Sequence, residues 1–469
     1  MQEVESALKS MGSYTILLKG APGTGKTTYA VTLLEQLCRG DAKAKGVYIS
    51  TRIDPAVLYT QFPSLQKRVP RKNIIDATQS EFSDAEFQVL YEDSSSFLRA
   101  VYNLVAEEDV TILIIDSWDA VSFQIGKENQ GIEKLENIML DIARKTKTHL
   151  VLITEYTDER KLDYLADGIL RLEKEQIDDK IVRRVFIDKL RGFQVPHSNY
   201  PFTLEAGKFS HFVTPATELG SGWHKVIKNK EKGSSHGIYS TGINDLDAII
   251  GGYPGGSFVL LEIADDSISQ SYRPVLFHMI SNFMLNNCGV IYMPEEGSYS
   301  SSVKKLLLDY VSEEVLDKNL RMPTISEPES EDPCLFKIDA EGKGEKGSKS
   351  LKEYLAKHLE VYKGLKKPVL HVLGLTRLDI YSEEDIRGML SEVVSWVRTT
   401  NDVLIGVLKP SAKLKNEIRE MADVHLRFIP INGTINVYGV KPRTLLYNIA
   451  PLSLTAEKEY HQLKLTPFL

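Results

Sequence analysis

The stretch Thr15-Ile16-Leu17-Leu18-Lys19-Gly20-Ala21-Pro22-Gly23-Thr24-Gly25-Lys26-Thr27-Thr28 decides how this 469-residue chain is read. Its first five residues form a short apolar run bounded by a glycine, as a buried strand does. Gly20 to Thr27 then fits GxxxxGK[ST] without a mismatch, and Lys26–Cys38 carries a helical pattern closed by Gly40. Glycines at 20, 23 and 25 let the backbone fold so that its N–H groups converge on phosphate oxygens. The helix start adds its positive dipole end. Gly20, Ala21, Pro22, Gly23, Thr24, Gly25, Lys26, Thr27 and Thr28 are therefore expected to hold a nucleoside triphosphate, read as ATP with Mg²⁺. Lys26 reaches the β and γ phosphates, Thr27 offers its hydroxyl to the metal, and Thr28 extends the helix start.

Val110-Thr111-Ile112-Leu113-Ile114-Ile115-Asp116-Ser117 supplies the second part of such a site. An apolar strand ending in a carboxylate beside the phosphate loop puts negative charge where the metal's water shell needs it, so Asp116 joins Thr27 as a metal residue. Asp119 reads either as a group orienting water or as a solvated loop acid.

Working outward, short apolar runs alternate with longer amphipathic stretches, the signature of βαβ units around a mostly parallel sheet. Strands are expected at Thr15–Lys19, Val47–Ser50, Asn73–Asp76, Val110–Ile115 and Leu150–Thr154, and a further helix at Gly131–Lys145. Thr217–His236 is polar and glycine-containing, as linkers are. The second half then repeats the first. Gly46-Val47-Tyr48 recurs as Gly289-Val290-Ile291, Ile75-Asp76-Ala77 as Ile338-Asp339-Ala340, and Val110–Ile115 as Val369–Leu373. Ala166-Asp167 with Leu170-Arg171 recurs as Ala422-Asp423 with Leu426-Arg427, and Lys189-x-Arg191 as Lys441-x-Arg443. Five matches in one order predict an α/β protein of two tandem domains: residues 1–216, a linker at 217–236, and residues 237–469. Ser326–Ser348, acidic and rich in glycine and lysine, reads as a mobile surface insertion in the second copy.

Bulk properties agree. The length exceeds what one hydrophobic core usually serves. A net charge of −7 gives no global pull toward nucleic acid or anionic membrane. Cys38, Cys288 and Cys334 are scattered without a CxxC pair, which suits reduced thiols. No apolar run is long enough to span a bilayer, and Met1–Lys9 lacks a secretion signal's apolar core, so a soluble cytoplasmic protein without membrane contact is expected.

These residues resemble the RecA-like ATPases of the KaiC group across nearly the whole chain. Leu165-Ala166-Asp167-Gly168-Ile169-Leu170-Arg171-Leu172 looks like that group's "ADG" strand. Lys189-Leu190-Arg191-Gly192, His197-Ser198 and Tyr200-Pro201-Phe202-Thr203-Leu204 resemble its C-terminal hairpin. Ser240-Thr241-Gly242-Ile243, Leu246-Asp247 and Gly251-Gly252 are similar to its domain-opening signature. Gly20–Thr28 with Ser50-Thr51-Arg52, Pro55, Leu58-Tyr59 and Gln61-Phe62-Pro63 looks like the archaeal branch typified by gas vesicle protein D. That resemblance implies an ATP-dependent regulatory role. It also implies that Lys189 and Arg191 reach the γ-phosphate of a neighbouring domain; a solvated basic strand edge is the competing reading.

Two departures from the family matter. Its adjacent glutamates after the second strand, one of which activates water, are matched here by Arg52 and Ile53, and losing such a base forfeits on the order of 10²–10⁴ in rate. In copy two the phosphate loop is replaced by Ile263-Ala264-Asp265-Asp266-Ser267-Ile268-Ser269-Gln270, with Ser269 for the lysine and two acids that repel a triphosphate. The Asp116 position falls near Leu373 or Gly374. Copy two keeps Glu295-Glu296, and keeps Lys441 and Arg443, which are expected to act on an ATP held by domain one or to close a hairpin. The expectation is an ATP-binding regulatory protein with weak ATPase turnover, whose nucleotide state controls self-association or a regulatory protein partner. The alternative is a recombinase-like, DNA-binding ATPase, with Arg183-Arg184 and the Lys67–Lys72 cluster its basic candidates; both read more simply as solvated faces, and the acidic balance disfavours nucleic acid.

Overall fold

The computed structural model of the protein describes residues 1–40, 44–66, 69–77, 94–126, 132–156, 158, 160–213, 237–268, 272–295, 298–324, 332–337, 357–451 and 463–469. The chain divides into two compact units, Met1–Val213 with Phe468–Leu469, and Thr214–Pro467. The expected linker at 217–236 lies outside the described residues.

The first unit is built on β1 (Thr15–Lys19), β2 (Gly46–Ser50), β3 (Ile74–Asp76), β4 (Ile112–Asp116), β5 (His149–Thr154), β6 (Gly168–Ile177), β7 (Lys180–Leu190), β8 (Asn199–Thr203) and β9 (Ser210–His211). They form one sheet in the order β3-β2-β4-β5-β1-β6-β7-β8-β9. Pairs from β3 to β6 are parallel, and β6 to β9 run antiparallel. Helices such as Lys26–Gly40, Ser94–Glu108 and Ile132–Thr146 supply the crossovers that parallel pairing demands. With helices covering both faces, β1, β2 and β5 are buried along their whole length, which is why they read as continuous apolar runs.

The second unit repeats this plan. Its strands are β10 (Ile238–Tyr239), β11 (Tyr253–Pro254), β12 (Phe258–Ile263), β13 (Gly289–Met293), β14 (Leu320–Thr324), β15 (Leu335–Lys337), β16 (Val369–Gly374), β17 (Val403–Leu408), β18 (Val424–Ile431), β19 (Thr434–Lys441), β20 (Leu446–Pro451) and β21 (Leu463–Pro467). The main sheet is ordered β15-β14-β13-β16-β17-β12-β18-β19-β20-β21. Removing β15 leaves the order of the first unit. Hydrogen bonds repeat as well. Asp167 accepts the Thr15 N–H at 3.1 Å and returns its own N–H to the Thr15 carbonyl. Asp423 does the same with Phe258, at 2.9 Å. The fold is two tandem RecA-like α/β units with mostly parallel sheets.

Two sequence readings are corrected. Ser326–Ser348 is not loop throughout: within it Cys334 is fully buried, and β15 pairs in parallel with β14 at the sheet edge. Lys304 holds this segment, donating to Asp332 at 2.8 Å and to Asp317 at 3.0 Å. Burial opposes the charge on Lys304, but the two carboxylates outweigh it and raise its pKa. The segment's polar composition concealed a strand whose apolar face is only a few residues long. Sheet order also makes β14 the counterpart of β3, so Ile338-Asp339-Ala340, itself outside the described residues, is not the partner of Ile75-Asp76-Ala77.

The second unit also buries a histidine pair. His358 Nε2 and His371 Nδ1 are 3.1 Å apart, beside Trp396 and Tyr362. Asp402 lies 3.6 Å from His371 and accepts from Tyr362, Thr400 and the Val369 N–H; Lys367 lies over the Tyr362 ring. Burial pushes His358 down to about 3 and lowers His371, whose shift Asp402 opposes. Both are neutral in the fold, so the unfolded chain takes up protons that the fold refuses once pH drops below about 6.5. Stability conferred by the neutral pair is complete above that pH and lost as pH falls toward 3. Asp402, with its pKa lowered below 3.8, contributes only at still lower pH. Denaturant titrations should show His358 costing about 2 kcal/mol by pH 5. His358→Leu should flatten the slope between pH 6.5 and 5, and an unchanged slope would refute this account.

Candidate functional site

The phosphate loop follows β1, and three glycines in it adopt positive φ: 152° at Gly20, 76° at Gly23 and 105° at Gly25. A Cβ on Gly20 would stand 2.4 Å from the Leu172 carbonyl oxygen of β6, and one on Gly25 would stand 2.8 Å from Leu204 Cδ1. The loop is thus packed tightly from outside while its backbone bends as only glycine allows. Thr24 closes it from within, its hydroxyl donating to the Ala21 carbonyl at 2.9 Å. The helix begins at Lys26, so the amides of its first turn lack intrahelical acceptors and face outward from its positive end.

Lys26 is 8% exposed, and its ammonium donates to the carbonyls of Gly20 and Ala21, the latter at 2.9 Å. Burial lowers its pKa, while Glu155 and Asp116 pull it back up. Thr27, one residue on, donates to Asp116 Oδ2 at 2.7 Å. A hydroxyl and a carboxylate oxygen at that spacing, at the mouth of a glycine cradle, are the hard oxygen donors Mg²⁺ takes. The residues present fit a magnesium-bound polyphosphate: Gly20–Thr28 for the phosphates, Thr27 and Asp116 for the metal.

Several site residues carried no sequence signal. Tyr48 on β2 donates to Asp116 Oδ2 at 2.6 Å and is 1% exposed. Burial, then the Asp116 charge, raises its pKa well above normal, so it remains a donor and fixes the carboxylate. Thr51 grips the backbone behind Asp116: its N–H donates to the Asp116 carbonyl at 2.8 Å, and its hydroxyl accepts the Ser117 N–H at 2.8 Å. Lys19, 3% exposed at the end of β1, pairs with Asp163 at 2.8 Å.

Arg183, expected on a solvated face, is instead 9% exposed and donates to the Gly23 carbonyl at 2.8 Å; β7 carries it under the loop. Its neighbour Arg184 pairs with Glu175. In the Lys67–Lys72 cluster, residues 67 and 68 lie outside the described part, and Arg71 donates to the Ile74 carbonyl. Asp119 accepts the Glu155 N–H at 2.5 Å, so it positions the residue after β5 and is not a solvated acid. Burial raises its pKa. Glu155 in turn pairs with Arg52.

Lys189 donates to the carbonyls of Asp163 and Tyr164, at the C-terminal end of helix Lys161–Leu165. Lys441 does the same with Arg419, Glu420 and Ala422 after helix Lys415–Met421. These lysines cap helix ends within their own units. Arg191 pairs with Asp167 at 3.3 Å, its side chain 56% exposed. Arg443 follows β19 as Arg191 follows β7.

In the second unit the same positions hold different chemistry. Through the registers of β16 with β17 and β12, Gly374 stands where Asp116 stands, and a Cβ there would meet the Glu295 backbone at 2.6 Å. Asp266–Ile268 forms a short 3-10 turn in place of the loop; Ser269 and Gln270 lie outside the described residues. The same registers set Thr51 and Arg52, rather than Arg52 and Ile53, opposite Glu295 and Glu296. Glu295 is fully buried, with Arg273 3.8 Å away, and burial raises its pKa.

Comparison with known proteins agrees with this geometry. Residues 7–188 match the family model described as GvpD gas vesicle protein, P-loop domain. Protein GvpD2 of Halobacterium salinarum is 27% identical over 93% of this chain and 90% of its own length. Protein GvpD1 of the same organism is 25% identical over 93% and 91%. Circadian clock protein KaiC2 of Synechocystis is 28% identical over 52% of this chain and 43% of its own. The first unit therefore belongs to the GvpD P-loop domain family, and the chain as a whole is a GvpD-like relative of the RecA-like ATPases of the KaiC group.

Proposed function

We propose that this chain is an ATP-binding regulatory protein of the cytoplasm. It binds Mg²⁺-ATP in the first unit and hydrolyses it slowly, and its nucleotide state controls self-association or a protein partner. The setting is that of gas vesicles, which the family description names. The observation that carries this reading is the convergence of Lys26, a glycine cradle, and the Thr27 and Asp116 oxygens 2.7 Å apart. When bound, the metal would neutralise charge on the phosphates; Lys26 binds and orients them, and Asp116, held by Tyr48 and Thr51, faces the metal with a fixed carboxylate. Arg52 stands where a water-activating acid is expected, which supports slow turnover.

The second unit serves as a companion that does not bind nucleotide. Support comes from Gly374 at the acid's position and from Asp265 and Asp266 in place of the loop glycines. Of the cations marked by the sequence, we assign Arg191, more than half exposed, to contacts with another copy. Among the described residues no helix is long and apolar enough to cross a membrane.

Calorimetry on the intact protein should find one nucleotide per chain. Lys26→Ala should weaken it at least roughly tenfold, the cost of losing a charged hydrogen-bond donor. Light scattering with ATP, ADP or no nucleotide should show a size change that Lys26→Ala abolishes. Two nucleotides per chain, or none, would refute the reading.

Asp116→Asn tests the metal separately. It should leave metal-free nucleotide binding within about twofold while removing the gain that Mg²⁺ gives, because only the ionised oxygen competes for a hard cation. Persistence of the full magnesium effect would assign the metal to other ligands.

A further inference from the structure

We propose that Arg52 is a triphosphate sensor: its guanidinium, paired with Glu155, is placed to exchange that carboxylate for the terminal phosphate of a bound nucleotide. This rests on the reading of the first unit as an ATP site and adds how that site tells triphosphate from diphosphate.

The sheet register places the pair. Ser50, Asp116 and Ile153 stand in one row across β2, β4 and β5. Arg52 and Glu155 each lie two residues beyond that row, on the strands flanking β4. Their ion pair therefore bridges over the end of the strand that delivers Asp116. On its other side β5 runs beside β1, with Thr154 opposite Lys19, so Glu155 adjoins the start of the phosphate loop. Among the charges acting on Lys26, that of Glu155 is the largest, followed by Asp116 and Arg52. One end of the ion pair thus already belongs to the electrostatic field of the loop lysine.

The two partners are held differently. The Glu155 backbone is fixed by the Asp119 carboxylate at 2.5 Å. Arg52 lies in the bend between β2 and helix Pro55–Gln61, and its side chain is 47% exposed against 31% for Glu155. An ion pair this open to water is weak and exchanges readily. A terminal phosphate carries more charge than a carboxylate and offers the planar guanidinium two oxygens at once. Arg52 is accordingly the partner that moves. A diphosphate presents one phosphate fewer, leaving Arg52 with Glu155. The arginine, which in place of a base slows hydrolysis, thereby gives the bound state a distinct reporter, and frees Glu155 beside the loop whenever triphosphate is present.

The test uses the intact protein, Mg²⁺, and two probes measured by calorimetry: a non-hydrolysable ATP analogue and ADP. Arg52→Ala should weaken the analogue about tenfold or more while leaving ADP within about twofold. Arg52→Lys should recover part of the loss. Glu155→Gln, which removes the competing charge, should tighten the analogue and not ADP. Melting without nucleotide should be unchanged in Arg52→Ala, because the side chain is exposed. If Arg52→Ala weakens both probes equally, or neither, the sensor is refuted while the ATP site stands. If the wild type binds neither probe, both fall together.

Discussion

Strand β1 is buried on both faces between β5 and β6, yet it must end in a charged loop open to a ligand; the rest of the first unit answers to that requirement. Lys19 marks the transition. Its ammonium, 3% exposed, donates to Asp163 and to the Asp158 carbonyl. Removing one member of such a buried pair typically costs about 3–5 kcal/mol, because the other is left charged without water or partner. Asp163 belongs to helix Lys161–Leu165, whose last carbonyls Lys189 caps from β7. Two residues beyond that helix, Asp167 grips the first residue of β1 with two hydrogen bonds. A single short segment thus fixes both ends of β1, and so the height at which the phosphate loop leaves the sheet.

The second unit keeps this architecture with its charges reversed. Glu262 stands at the register position of Lys19, and Arg419 at that of Asp163; they pair at 2.6 Å. Burial works to raise the Glu262 pKa, but His425 and Arg419, with Arg427 nearby, outweigh it and hold the carboxylate at about 2. What the fold demands at this point is a satisfied pair at the end of a buried strand, not a particular sign. The sign matters to what comes next. A lysine at the strand end suits a loop meant for anions, whereas a carboxylate at the same place, followed by Asp265 and Asp266, gives the second unit a field that disfavours them.

Much of this was legible from pattern. Buried parallel strands must read as apolar runs, so β1, β2, β4 and β5 were located to within two residues, and the loop motif brought its own structural context. Asp116 was found because the metal's chemistry demands an acid at a strand end. Tyr48 was not, since a tyrosine in an apolar strand looks like core packing, and only the neighbouring register puts its hydroxyl against Asp116. Arg183 lies 160 residues from Gly23, and nothing local distinguishes an arginine beneath a loop from one in water. The insertion misled for the opposite reason. Its charged, glycine-rich composition is that of a loop, while Cys334 and three strand residues suffice to pair with β14 once Lys304 gathers Asp332 and Asp317. The lysines at 189 and 441 show a further limit: a family pattern identifies a position, but their partners are the carbonyls of helices far back in sequence.

The loop itself is in balance before any polyphosphate is considered. The positive end of helix Lys26–Gly40 and the Lys26 ammonium face the same space and repel each other, and burial adds to the cost of the charge. Lys26 meets this by turning onto the Gly20 and Ala21 carbonyls, while Arg183 takes the Gly23 carbonyl from the other side. Three loop carbonyls thus accept from cations, which polarises the same peptide units whose N–H groups must serve as phosphate donors. Binding therefore exchanges the Lys26 hydrogen bonds for contacts to an anion of higher charge, with the loop shape retained by Arg183 and by glycine geometry that no other residue tolerates. An arrangement of this kind favours affinity for charge over speed of reaction, since every fixed group stabilises the bound anion and the position expected of a base carries Arg52.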